Sequence, residues 1–175
     1  MQFIPILHNE NETAQKIFQS YTTTFPPEER REAEQFLDLF NNPNTQITSI
    51  LVNNEEIGYL ILWHFSEFVF IEHFEVFSEY RNQKFGQKIL EKLQEIYPHL
   101  VLEAEPEHLN EIAKRRINFY QRCGFSIINK NYIQPSYGTG KESINLYLLA
   151  NFIPKKNDEL QKEIHQKVYG VDLSL

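Results

Sequence analysis

A chain of 175 residues with 41% hydrophobic and 14% aromatic residues has the material for one sizeable core, which excludes a disordered segment. Its net charge of −7 repels a phosphate backbone, and the one dense basic cluster, Ala113 to Arg116, reads as a solvated helix face, so no nucleic-acid partner is expected. No run approaches the roughly 18–20 apolar residues of a membrane span, the N-terminus turns polar too early for a secretory signal, and the single cysteine, Cys123, fits a reducing compartment; the expected location is the cytoplasm.

The segment QFIPIL, residues 2–7, reads as a first strand, and Pro5 places it at a sheet edge. From Glu12 to about Thr24, Ala14, Ile17, Phe18 and Tyr21 recur at helical spacing. Pro26 and Pro27 break that helix, and Ala33, Phe36, Leu37 and Phe40 mark one side of the next. Three β-rich segments follow, QITSILV, IGYLILWHF and EFVFIEHFEVF; the polar link 53–56 and the pair Ser66 and Glu67 suit tight connections, which makes an antiparallel meander. A polar, basic stretch then opens a helix carrying Phe85, Ile89, Leu93, Ile96 and Tyr97, ended by Pro98. LVLEAE is a buried type of strand, and the helix before it makes it parallel to the strand ending at Val76. A helix from about Glu107 to Arg122 stops at Gly124. FSIIN and SINLYLLA close the sheet, with KNYIQPSYGTGKE between them as a long aromatic loop. A last helix carries Leu160, Ile164, Val168 and Val171 and covers the core or meets a partner. The expected fold class is α/β (α+β): a mixed, mostly antiparallel central sheet with a parallel β-α-β core, flanked by helices. One domain spans 1–150, and a C-terminal helical extension spans 151–175.

In such sheets, ligands bind at the carboxyl ends of parallel strands, where a helix N-terminus points outward. Arg81, Asn82, Gln83, Lys84, Phe85 and Gly86 occupy that place, and their consecutive N–H groups can converge on a diphosphate where the helix dipole adds positive potential. Taken alone, an Arg with a Gly five residues on is equally well an ordinary connection with a solvated basic rim. Glu72 interrupts the apolar run FVFIEHF; there a carboxylate is either tied into a structural salt bridge or faces a wet cleft, where burial raises its pKa toward that of a general base. His73, of opposite strand parity, is expected on the other face as a satisfied core histidine. Tyr120 either packs with Phe119 and Phe125 or supplies a phenol proton to a leaving group. Glu103 and Glu105 share a strand face, either drawing a cationic amine into a cleft and supplying an alternative base to Glu72, Glu103 first, or facing solvent. Cys123 reads as structural, and the six scattered histidines suggest no metal site.

The strand FIEHFEV, the loop RNQKFG with its helix, the strand LVLEAE and the helix carrying FYQRCGF, in this order and spacing, resemble the GNAT acyltransferases over roughly residues 1–150, most sharply 68–126. The resemblance implies direct transfer of an acetyl group from acetyl-CoA (CoA) to a small-molecule or peptide amine. In the family's phosphate loop, Gln/Arg-x-x-Gly-x-Gly/Ala, Arg81 fills the first position and Gly86 the last, while Lys84 stands where the first Gly is usual. That departure bears on CoA affinity, because a Cβ restricts the backbone. The resemblance also implies that the pantetheine arm pairs with the backbone near Phe74, Val76 and Phe77, where the strand splays and one N–H holds the thioester oxygen. It makes Glu72 the base and Tyr120 the acid. Tyr132, Pro135 and Tyr137 either form an aromatic wall over the acceptor, where the family varies most, or anchor the long loop. The position seven before Tyr120, often Asn in the family, is Ala113. Competing readings are a non-catalytic GNAT-like module that binds CoA or has lost it, and an unrelated α/β protein whose loop holds another phosphate. The last helix is a candidate homodimer contact.

Overall fold

The computed structural model describes residues 1–171; residues 172–175, the end of the expected extension, lie outside the described residues. The elements run β1 (Gln2–Pro5), α1 (Glu12–Thr24), α2 (Ala33–Asp38), β2 (Thr45–Val52), β3 (Glu55–His64), β4 (Val69–Val76), α3 (Phe85–Ile96), β5 (Leu100–Ala104), α4 (Glu111–Arg122), β6 (Ser126–Gln134), β7 (Ile144–Ala150) and α5 (Asn157–Tyr169). Seven strands, mostly antiparallel with one parallel pair, together with α-helices, make the mixed class expected from the sequence. The chain divides into two compact units, one at Met1–Ile89 and one from Leu90 onward.

The first unit is built on the antiparallel run β1-β2-β3-β4. Asn53 and Asn54 both take left-handed backbone, φ 52° and 65°, between the paired residues Val52 and Glu55. Two such residues make the primed turn whose twist matches the flanking strands, and Asn tolerates that conformation better than most side chains. The polar link thus shrinks to two residues, and β3 gains Glu55 and Glu56. Strand β3 is buried from Ile57 to Trp63. Over it α1 lays Ala14, Ile17 and Tyr21, and Phe36 of α2 meets the Phe18 and Tyr21 rings at 4.9 and 5.1 Å. Helix α2 is only six residues, followed by a 3₁₀ turn at Leu39–Asn41. The tighter turn brings Leu39 inward and leaves Leu37 at 43% exposure, so the apolar side expected from Leu37 is instead carried by Phe36 and Leu39.

Gly58 is fixed by sterics: a Cβ there would lie 2.1 Å from the Glu75 carbonyl oxygen across the β3–β4 ladder.

In the second unit β7 pairs antiparallel with both β5 and β6. Strand β6 runs on to Gln134, with register irregularities at Ile127/Asn129 and Asn129/Tyr132. Tyr132 is therefore a strand residue, not part of the long loop, which shortens to 135–143. Polar residues at the irregularity hide the strand's periodicity from a sequence reading. Helix α4 starts four residues later than expected because Asn110 caps it, its side chain accepting the Ala113 N–H at 2.8 Å. Gly124 ends it at φ 89°. Helix α3 buries Ile89, Leu90 and Leu93, while Ile96, expected on that face, is 47% exposed. Leu160, Ile164 and Val168 of α5 are buried. Asn129 donates to Gln161 Oε1 at 2.9 Å and Asn157 to the Ile128 carbonyl at 3.2 Å, tying α5 to β6.

Gly58→Ala is expected to lose about 1–3 kcal/mol of stability, the usual range for overpacking, read as a lower urea midpoint. Burial also pushes the imidazoles of His64, His73 and His165 below their usual range. The unfolded chain then binds protons near pH 6.5 that the folded chain refuses, so stability must fall as pH drops below about 6.5. Urea midpoints at pH 7 and pH 5.5 check the sign.

Candidate active site

Beyond β4, the Tyr80 and Arg81 N–H groups close a short turn onto the carbonyls of Phe77 and Ser78 at 2.9 and 3.3 Å. Asn82 and Lys84 then adopt left-handed backbone, φ 62° and 61°. The Lys84 carbonyl accepts the Lys88 N–H at 3.3 Å and starts α3. Between these points the N–H groups of Asn82, Gln83, Lys84, Phe85 and Gly86 donate to no backbone carbonyl among the described residues. Left-handed residues at alternate positions curl successive N–H groups toward one concavity, which is how main chain binds anions, and the first-turn donors of a twelve-residue helix share it. Lys84 thus takes the conformation that a glycine would give freely, at a strain of roughly 1–2 kcal/mol. The Arg81 side chain turns back instead of reaching forward: Nε donates to the Val76 carbonyl at 2.9 Å, and Nη2 lies 3.3 Å from Glu75 Oε1. Glu75, itself buried, also accepts the hydroxyls of Ser20 and Thr24 at 3.1 and 2.8 Å. Phe74 and Val76 are partly exposed and Phe77 is buried.

Glu72 occupies a β-bulge. Ile61 pairs with His73 but Leu62 with Ile71, leaving Glu72 as the extra residue on β4, while the ladder to β3 is regular from Phe74 to Val76. An extra residue breaks strict alternation, so Glu72 and His73 fall on the same side, with Glu72 Oε1 4.0 Å from His73 Nδ1. The opposite parity read from the sequence is thereby corrected. Arg31 Nε donates to Glu72 Oε1 at 2.9 Å and Trp63 Nε1 to Oε2 at 2.6 Å; the carboxylate side chain has no exposed surface. The Arg31 guanidinium lies over the Trp63 ring at 5.4 Å, and its backbone N–H donates to the Tyr21 hydroxyl at 2.5 Å. His73 Nε2 meets the Glu29 carbonyl at 2.9 Å. Glu72 is therefore held in the structural salt bridge, one of the two alternatives in the sequence. A carboxylate tied up in this way favours the salt-bridge alternative over the reading of Glu72 as the base.

In the second unit, partly exposed Glu103 accepts two phenols, Tyr132 on Oε1 and Tyr169 on Oε2 at 2.6 Å. Burial first, then the Glu103 charge, pushes the Tyr132 phenol far above its usual range, so it stays a donor. Tyr132 is 0% and Tyr137 4% exposed, and the Tyr137 ring lies 5.1 Å from Tyr169. These tyrosines are packed anchors and not an open wall. Glu105 parts from Glu103 and pairs with Arg116 at 3.0 Å. Tyr120 is half-buried, its ring 5.4 Å from Phe119 and 6.0 Å from Phe125, and burial raises its phenol pKa. Burial likewise raises the Cys123 thiol, which disfavours a reactive thiolate. Among the described residues no group of three or more His, Cys, Asp or Glu is set to hold a metal, and no helix is long and apolar enough to cross a membrane. Sequence reasoning missed Arg31, Trp63 and Tyr169. Arg31 sits in a charged run that looks solvated, and only the helical spacing of the last segment hinted that Tyr169 was placed at all.

The profile of the acetyltransferase (GNAT) family matches residues 12–125, and the chain belongs to that family. A GNAT-family protein of Bacteroides thetaiotaomicron, described as an acetyltransferase, is 34% identical over 98% of this chain and 100% of its own, with a TM-score of 0.92. The ribosomal-protein-S18-alanine N-acetyltransferase of Escherichia coli shares the fold at 15% identity, 89% of this chain, 97% of its own and a TM-score of 0.60. So does an aminoglycoside 6′-N-acetyltransferase complexed with coenzyme A, at 14% identity, 90% and 100% coverage and a TM-score of 0.59. None of the curated proteins matches the sequence. Membership makes the chain an acyl-CoA-dependent N-acetyltransferase.

Arg31→Met should destabilise by about 3–5 kcal/mol, because it leaves the Glu72 charge buried and unpaired, and adding Glu72→Met should recover most of that loss. Urea denaturation of both variants checks it.

Proposed function

We propose that the chain acetylates a primary amine by direct attack, with Glu103 taking the ammonium proton and Tyr120 protonating the departing thiolate. The observation that carries the acetyl-CoA part is the run of N–H groups from Asn82 to Gly86 left without backbone acceptors among the described residues at the start of α3. A diphosphate accepts several such donors at once and gains from the helix dipole. Lys84 supports the fit, since its backbone already has the left-handed form the cradle needs. The Arg81 guanidinium serves by clamping the loop to the end of β4, and its N–H groups not used there remain for phosphate oxygens.

The proton inventory closes. Glu103, or a water it holds, removes H⁺ from the acceptor ammonium; the amine nitrogen forms a C–N bond to the thioester carbonyl; the C–S bond breaks, the sulfur takes the Tyr120 proton, and the second proton lost by the nitrogen passes through water to restore the Tyr120 phenol, leaving amide and free thiol. Glu103 is preferred to Glu72 because the Glu72 side chain is closed and ion-paired with Arg31, whereas the donors to Glu103 that position it are neutral phenols. Its sign, and the chain's net −7, favour a cationic amine. The single cysteine favours a reducing compartment, the cytoplasm. A dimer through α5 is not part of the proposal, because the helix's apolar stripe is already buried.

Acetyl-CoA at 100 times its Kd should stabilise the protein by about 2.7 kcal/mol, with ATP giving far less, and thiol should be released with an amine acceptor. The rate should rise with pH as Glu103 ionises and fall only above about pH 10, because burial keeps Tyr120 protonated there. Glu103→Gln should abolish the rising limb, whereas Glu72→Gln should lower stability and leave it. No stabilisation by acetyl-CoA and no thiol release from any amine would overturn the proposal.

A further inference from the structure

The geometry points to Tyr169, on the C-terminal helix beyond the family match at 12–125, as the residue that positions Glu103 and sets its proton affinity. This rests on the reading of Glu103 as the base. Helix α5 is held by Leu160, Ile164 and Val168 and by its two side-chain bonds to β6 and its flank, so its last turn has a fixed place. Gly170 follows at φ 68°, its N–H donating to the Gln166 carbonyl at 3.2 Å, while the Val171 N–H reaches the His165 carbonyl at 3.1 Å. That closure ends the helix one residue beyond Tyr169, which fixes the root of the side chain. Its ring is flanked by Tyr137 at 5.1 Å and His165 at 6.4 Å, and its hydroxyl donates to Glu103 Oε2 at 2.6 Å.

Each carboxylate oxygen can accept about two hydrogen bonds. Tyr132 donates to Oε1 and Tyr169 to Oε2, so each oxygen is held by a phenol. Together the two donors fix the plane of the carboxylate. They also favour its ionised form, which bonds to the charged state always do. Tyr132 from β6 and Tyr169 from α5 donate to Glu103; behind them lie His165, its ring 5.3 Å from Tyr132, and Tyr137, 5.1 Å from Tyr169. On its own strand side Glu105 is neutralised by Arg116 of α4, and its partner across β7 is the uncharged Leu148. Of the two phenols, Tyr132 is part of strand β6 and Tyr169 ends helix α5; both lie beyond the family match, which includes Glu103, so α5 tunes a base that the matched domain provides.

The test is the pH profile of kcat/KM for acetyl transfer to a fixed amine in the full chain. Tyr169→Phe, which keeps the ring and deletes the donor, should move the rising limb up by about one pH unit with acetyl-CoA affinity unchanged. Replacing Tyr169 with 3-fluorotyrosine, a stronger donor, should move the limb down, a second reading available even if the Phe variant folds poorly. Glu103→Gln should remove the limb. If Glu103→Gln removes it but both Tyr169 replacements leave it in place, the positioning role is overturned and the base stands. If Glu103→Gln leaves the limb, the base assignment fails and the positioning role with it. A limb that moves in His165→Gln and not in the Tyr169 variants belongs to the imidazole and also overturns the proposal.

Discussion

The Glu72 carboxylate has no exposed surface, and a charge so placed persists only where other groups replace its water. Arg31 and Trp63 do so, and the consequences spread through the first unit. The bulge that presents Glu72 needs a partner on that face, and Arg31 reaches it from the segment between α1 and α2. That segment is otherwise irregular, with two prolines and a 3₁₀ turn. The ion pair, the Tyr21 hydroxyl on the Arg31 N–H and the Glu29 carbonyl on His73 bind it to α1 and β4. A buried pair contributes little net stability over an apolar pair, so its value here is in specifying one arrangement of bulge and loop.

Strand β4 meets three backbone demands in succession. It bulges at Glu72, approaches β3 at Gly58 too closely for any Cβ, and leads into a loop with left-handed residues at 82 and 84. The third leaves main-chain donors without backbone acceptors among the described residues, donors that a regular helix would consume. Where the family pattern has Gly, Lys84 accepts the strained conformation, so the cradle is kept by the surrounding loop and not by the residue's own preference. Arg81 is part of that enforcement: both of its contacts are to the end of β4, one to a main-chain carbonyl and one to the buried Glu75.

The second unit solves a different problem. Glu103 stays partly exposed, and its two donors are phenols, which hold a carboxylate without neutralising it. Arginine in the same place would favour the ionised form so strongly that the group would be a poor base. Glu72, tied to Arg31, and Glu103, tied to two tyrosines, show the contrast within one chain.

The periodicity of the sequence determined the order of strands and helices, because helical steps of three and four and the proline and glycine breaks are local properties. The candidate loop was legible for the same reason: Arg81 to Gly86 is contiguous and sits at a strand-to-helix junction. The parity of Glu72, the strand identity of Tyr132 and the exposure of Leu37 and Ile96 were not legible. One inserted residue in a ladder, one register irregularity or one tighter turn reverses which side faces inward, and those are settled by the neighbouring strand or helix. Partners were still further from view. Arg31 lies 41 residues before Glu72, and Tyr169 lies 66 residues after Glu103. Only tertiary packing could bring those groups together, since a charge or a hydroxyl carries in sequence no mark of the atom it will meet.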